Sequence, residues 1–365
     1  MPAKNPVRWM APAPPVFPGQ ARSHSDRADF NCWARQLSPQ VLPEACATPL
    51  EGFAIGTYHA CLRAFTVEMT QSLQMTQCVI KIAMCPGSAT TTISQYPPFS
   101  TQVPPMTTTM HTPKDQLVKL AQQQMLTALA DNTYTARQKL ALTCRILFDG
   151  GHDSGLAGQI TARAQEPGTY YTQQLGLGFD EIAASNLLVV DEDLTVLQGR
   201  GMANPANRFH SWLYRARPDV NCIIHTHPLH SAALSMLEVP LAISHMDLCP
   251  LFDDCAFLKE WPGVPVGNEE GEIIAKAIGD KRAILLSHHG LLIAGGSIEE
   301  ACVLALLFER AAKMQLLAMG AGDIRPIPEA LGKEAHDWIS TPKRHGAAFS
   351  YYARRALRAH GDCLG

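Results

Sequence analysis

Apolar residues fall into regular periods only in the second part of this 365-residue chain. After Pro113, Leu117, Leu120, Ala121, Met125 and Ala128 recur at helical spacing and predict a helix over 114–131. A second helix is expected over 136–148, with Thr135 as its N-cap. Short β-like runs follow at 159–163, 187–190, 195–197, 222–227 and 283–287, with helices at 208–216 and 269–277. The best-marked helix is SIEEACVLALLFERAAKMQLLAMG, which has Ser297 and Glu300 spaced as a capping box and Gly320 as its stop. Strands interspersed with helices predict a layered α/β domain over 113–365, ending in a helical tail.

The first part reads differently. Residues 1–105 hold 14 of the 26 prolines but only 12 of the 63 charged residues. Apart from a short apolar piece at 78–84, no period is sustained there, and the stretch runs out into GSATTTISQYPPFSTQVPPMTTTM. Residues 1–112 are therefore expected to be a low-complexity or disordered leader, or upstream sequence joined by a start read too early. Met106 and Met110 lie directly before the first helical pattern.

Composition narrows the functional classes. A net charge of −3 with 17% charged residues gives no electrostatic reason for a nucleic-acid or membrane-surface partner. No run approaches the roughly 18–20 apolar residues of a membrane span. Prolines interrupt the N-terminus where a signal peptide would be apolar. Eleven cysteines without a CxxC pair read as scattered thiols in a reducing, cytoplasmic setting.

The histidines carry the candidate chemistry. In NCIIHTHPLH, a strand ending before Pro228 places His225 and His227 on one face, two positions apart. Such a pair could share a metal ion with a third ligand, and His289, between the apolar run AILLS and Gly290, is a candidate. With 14 histidines in the chain, one HxH is expected by chance on the order of 0.5 times. Spacing alone therefore also fits ordinary core or surface histidines.

The blocks RFHSWLYRARPDVNCIIHTHPLHSAALSM and LLSHHGLLIAGGSIEEACVLALLFERAAK resemble the class II aldolase and adducin family, of the L-fuculose-1-phosphate aldolase type. The similarity spans about residues 115–325. It implies a three-layer α/β/α sandwich around a central mixed, largely antiparallel sheet. It also implies a zinc ion held by His225, His227 and His289, with Fe, Mn or Co as other metals that imidazole suits. His288 falls on a variable position beside the ligand. The expected activity is aldehyde-lyase cleavage of a small polyhydroxy or keto-acid substrate, the metal acting as Lewis acid.

The sequence departs from that pattern at informative places. The family's catalytic Glu or Asp, 19 residues before the first His of HxH, is Ala206 here. Losing a positioned acid/base costs about 10²–10⁴ in rate. His210, one helical turn on, is a substitute candidate, and so is Asp247; Asp253 and Asp254 are nearby acids. The phosphate-binding Gly-Asn-x-Ser turn reads Gly158-Gln159-Ile160-Thr161, a Ser-Ser pair reads Asn204-Pro205, and a pocket tyrosine falls on Met246. The resemblance further implies a homotetramer whose C-terminal tyrosine, Tyr351 or Tyr352, reaches a neighbouring site with Arg354 and Arg355 close by. The other functions considered are a non-haem iron oxygenase or decarboxylase on the same fold, and an adducin-like interaction module without catalysis.

Overall fold

The computed structural model describes residues 109–365. Apart from residues 109–112, the expected leader lies outside the described residues. Eight helices are described: α1 (Lys114–Ala128), α2 (Ala136–Asp149), α3 (Arg208–Ala216), α4 (Leu229–Ser235), α5 (Asn268–Ile278), α6 (Ile298–Met319), α7 (Glu329–Ile339) and α8 (Pro342–Ala356). The strands are β1 (Gln159–Arg163), β2 (Thr169–Thr172), β3 (Leu188–Asp191), β4 (Val196–Gln198), β5 (Cys222–Thr226), β6 (Cys255–Leu258), β7 (Ala283–Leu286) and β8 (Leu291–Gly295). They form one sheet in the order β4-β3-β2-β1-β5-β8-β7-β6. Every neighbouring pair is antiparallel except β6–β7. This is the mixed, largely antiparallel sheet expected.

The pleat sorts side chains into two cores. Cys222 and Ile224 of β5, Leu285 of β7 and Ile293 of β8 face a cluster with α2, α6 and α8, including Leu142, Phe308 and Phe349. Their neighbours Ile223, Ile284 and Leu292 face the other way, onto Phe209 and Leu213 of α3 and Ile274 of α5. A sheet apolar on both faces must be covered on both, and three layers result. All six cysteines described are free, and five of them are buried. No helix among the described residues is long and apolar enough to cross a membrane.

Local signals acted mostly as their chemistry requires. Thr135 and Gln138 form a full reciprocal capping box at α2. At α6 only half of the expected box forms. Ser297 Oγ accepts from the Glu300 amide, but the Glu300 carboxylate takes its bond from Gly296 N–H and pairs with Arg282. Gly320 does end α6, in right-handed rather than left-handed geometry (φ −68°). The helix predicted to 131 stops at Ala128, and none of α1's residues is buried.

Candidate metal centre

β5 delivers His225 to the sheet face lined by α3, where its ring meets Phe209 edge-on at 5.2 Å. The chain leaves the strand after Thr226, and His227 projects from the turn before Pro228. His289 arrives from the β7–β8 turn. That turn is tight: a Cβ on Gly290 would lie 2.5 Å from the Thr226 carbonyl oxygen and 2.6 Å from His227 Cδ2. Only glycine lets the two turns approach this closely. The preceding His288 adopts φ +54°, and its Nε2 sits 2.9 Å from the Glu238 carboxylate. His288 thus faces an acid on the surface.

The three rings converge. His225 Nε2 lies 2.9 Å from His227 Nε2 and 3.3 Å from His289 Nε2, and the ring centroids are 4.6–4.7 Å apart. Two nitrogens bound tetrahedrally at about 2.0–2.1 Å from one zinc would stand roughly 3.4 Å apart, so the spacing suits one cation. Among the described residues this is the one cluster of potential ligands so close together.

Donor chemistry points the same way. His225 Nδ1 donates to the Leu291 carbonyl (2.8 Å), which fixes the tautomer and leaves the Nε2 lone pair facing its neighbours. Burial, then the neighbouring His289 and His227, holds His225 well below the usual histidine range. Burial likewise lowers His227, and burial with His227 brings His289 to about 4. Neutral imidazoles facing each other repel unless a proton or a cation lies between them, and neutral imidazole is the form that binds metal. The residues fit a divalent ion.

Buried polar groups without partners surround this centre. His210 of α3 is 1% exposed; its Nδ1 lies 2.8 Å from Thr161 Oγ1 and its Nε2 has no partner. His152 repeats the arrangement on the Thr226 hydroxyl at 2.8 Å, again with an unpartnered Nε2. Burial brings His210 to about 3 and His152 to about 4. Gln159, directly opposite His225 in the β1–β5 ladder, has an unpartnered Oε1, as Asn207 has an unpartnered Oδ1. Such orphaned atoms are costly unless water or a ligand meets them.

The remaining candidates lie elsewhere. Ala206 lies in the middle of the turn 205–207 that leads into α3, where it supplies no acid. Asp254 is committed to Arg282, and Asp253 to Lys281 at 3.1 Å. Asp247 and Tyr352 border a separate cavity that none of His225, His227 and His289 lines. Tyr351 is half exposed on α8, beside Arg355. Sequence reasoning missed His152, and also Glu309 of α6. The Glu309 carboxylate accepts from His230 N–H and Nδ1 and from Ser231 N–H and Oγ, tying down the segment that follows His227. No local pattern marks either residue, since their partners lie 74–79 positions away.

Comparison with known proteins agrees with this geometry. The family described as Class II Aldolase and Adducin N-terminal domain matches residues 138–316. A 4-hydroxy-3-prenylphenylpyruvate oxygenase/4-hydroxy-3-prenylbenzoate synthase of Streptomyces roseochromogenus subsp. oscitans is 33% identical over 217 residues, covering 56% of this chain and 77% of that protein. Decarboxylase NovR of Streptomyces niveus is 32% identical, over 56% of this chain and 79% of its own length. The structure of an L-fuculose 1-phosphate aldolase from Glaciozyma antarctica PI12 superposes with a TM-score of 0.59 at 29% identity, covering 66% of this chain and 98% of that one. The chain belongs to the class II aldolase and adducin family. Similar members include aldolases, a decarboxylase and an oxygenase.

Proposed function

We propose that residues 113–365 form a metal-dependent lyase acting on a small polyhydroxy or keto-acid substrate, in a cytoplasmic homotetramer. The observation that carries the reading is the convergence on one point of three imidazole nitrogens, from buried His225 and half-buried His227 and His289. His225, His227 and His289 would hold the ion, with zinc as the first choice. A divalent cation there would supply Lewis acidity toward a substrate carbonyl, with coordination positions left open.

The chain's own residues suggest how the missing acid at Ala206 is replaced. Burial raises the Tyr214 hydroxyl well above its usual range, so it stays protonated, and it lies 3.0 Å from Thr161 Oγ1. If Tyr214 donates to Thr161 and Thr161 donates to His210 Nδ1, each hydroxyl proton finds an acceptor. His210 then carries its own proton on the unpartnered Nε2. In that tautomer His210 is a neutral N–H donor. A substrate oxygen at Nε2 would take the hydrogen bond and be oriented by it.

A second reading has a specific basis. Without a carboxylate at Ala206, three neutral ligands suit Fe(II) as well as zinc, and two of the relatives above are named as an oxygenase and a decarboxylase. An adducin-like module without chemistry need not keep three ligands, and this chain keeps them. Elemental analysis of protein purified without added metal, with a screen of sugar phosphates and keto acids, separates the readings. Stoichiometric zinc with anaerobic cleavage is the expected result. Bound iron with oxygen uptake selects the oxygenase, and absence of any metal overturns both.

A further inference from the structure

A cavity of about 450 Å³, lined by none of His225, His227 and His289, lies between α1, α6, α8 and the turn carrying Asp247. Its walls are mainly apolar: Met125 and Leu129 at the end of α1, and Val303 and Leu307 of α6. The volume is that of a small-molecule site, within the roughly 300–1,000 Å³ such sites occupy. Most of its lining comes from α1, α7 and α8, outside the stretch 138–316 that the family shares.

One wall is chemically incomplete. Arg344 is half-buried, yet its guanidinium meets only the Met125 sulfur at 3.8 Å and the face of Trp338 at 5.1 Å. No carboxylate pairs with it among the described residues, although most half-buried arginines here find oxygen acceptors, as Arg163 and Arg282 do. Apart from the weak bond to the Met125 sulfur, the N–H donors of its planar fork have no acceptor among the described residues. Beside it, His345 is 3% exposed and its Nε2 has no partner. Tyr352 also lines the cavity. The one acid there, Asp247, is largely exposed and lies 3.9 Å from both Arg310 and His245, so its charge is met outside.

The roof is separately fastened. Helix α1 buries none of its residues, but an ion pair joins Lys114 to Glu334 of α7, and Asp131 meets Lys343 of α8 at 2.8 Å. A helix without a buried face, pinned at both ends across an apolar hollow, encloses space rather than core.

We propose that this cavity binds a small amphipathic monocarboxylate, with the carboxylate on the Arg344 fork and the apolar body between α1 and α6. A planar carboxylate matches a guanidinium with two parallel hydrogen bonds, and the apolar walls exclude the water that would compete.

The test is calorimetric titration of the full chain, with its metal as purified, using octanoate and 3-phenylpropanoate as probes and octanamide as the uncharged control. Saturable one-site binding of at least one acid, with octanamide at least tenfold weaker, is expected. Arg344→Gln should weaken the acid at least tenfold with an unchanged circular dichroism spectrum, and Ala348→Leu, which fills the hollow, should do the same. Both probes should bind His227→Ala as well as they bind wild type. The proposal is overturned if neither acid binds saturably, if octanamide binds equally, or if His227→Ala rather than Arg344→Gln abolishes binding. A change of oligomeric state in Arg344→Gln without acid binding to wild type would instead assign the hollow to a second copy of the chain.

Discussion

Among the described residues, two sets of histidines use the same side chain in different ways. At the sheet centre, the rings of His225, His227 and His289 face one another, and no carboxylate accepts from them. Nearer the periphery three rings face acids: His230 meets Glu309 at 2.6 Å, His288 meets Glu238 at 2.9 Å, and His360 meets Asp149 at 3.0 Å. Each of these three rings has a nitrogen committed to a carboxylate and, among the described residues, no cluster of further ligands beside it. The convergence of three ring nitrogens with no acid among them, more than any one histidine, marks the candidate centre.

The sharpest way to break this comparison is one substitution in each set. His227→Ala should abolish stoichiometric metal binding and lower any cleavage activity by at least 10³, whereas His360→Gln should keep full metal content and activity. Metal retained in His227→Ala, measured by elemental analysis, would refute the ligand assignment. A smaller effect is expected one layer out. Tyr214→Phe and Thr161→Val would break the proposed chain of hydroxyls behind His210, and should lower kcat by about 10–100-fold, less than the roughly 10²–10⁴ that loss of a positioned group itself costs. Metal content should stay intact and KM should move less than kcat. Equal loss of metal and rate would show these residues serving only structure.

Much of this was legible in the sequence because the signals were local. The HTH pair at a strand end and the Gly after His289 are explained by two turns too close for a side chain at residue 290. The 3.6-residue period of 297–320 and the Thr135 cap became helices with few changes. β2, β6, β8 and the short α4 went unseen. β6 and β8 are four- and five-residue runs of mostly apolar residues, where alternation has no room to show. The surroundings of the centre were hidden for another reason: His152 and Glu309 gain their roles from Thr226, His230 and Ser231, contacts that only the fold creates. The acids Asp247, Asp253 and Asp254 looked alike as neighbours in sequence, and the fold gave them different partners.

Acid pH should sharpen the contrast at an intermediate size. Burial brings His210 to about 3 and His152 to about 4, against about 6.5 in the unfolded chain. Between pH 6.5 and 4 the unfolded state binds protons at these positions that the folded state does not. Stability therefore rises with pH across that window, is fully present above 6.5, and falls as pH drops toward 4. Each buried ring contributes a slope of up to about 1.4 kcal/mol per pH unit. Denaturant melts at pH 7, 6 and 5 should show this slope shrink in His210→Gln; an unchanged slope would mean that His210 binds its proton equally in the folded and unfolded chain.

The smallest expected effect concerns the peripheral pair nearest the centre. His288 directly precedes His289 of the converging set, so a role in the proposed metal site would be easy to assume. Its ring, however, bonds to Glu238, and both residues of the pair are about half exposed and held in left-handed backbone. Exposed ion pairs contribute about 0–1 kcal/mol. His288→Asn keeps a side chain that tolerates left-handed geometry, so stability should change by less than about 1 kcal/mol and metal affinity by less than about threefold. A tenfold loss of metal affinity in His288→Asn, with Glu238→Gln matching it, would move this pair into the centre and erase the boundary between the two sets.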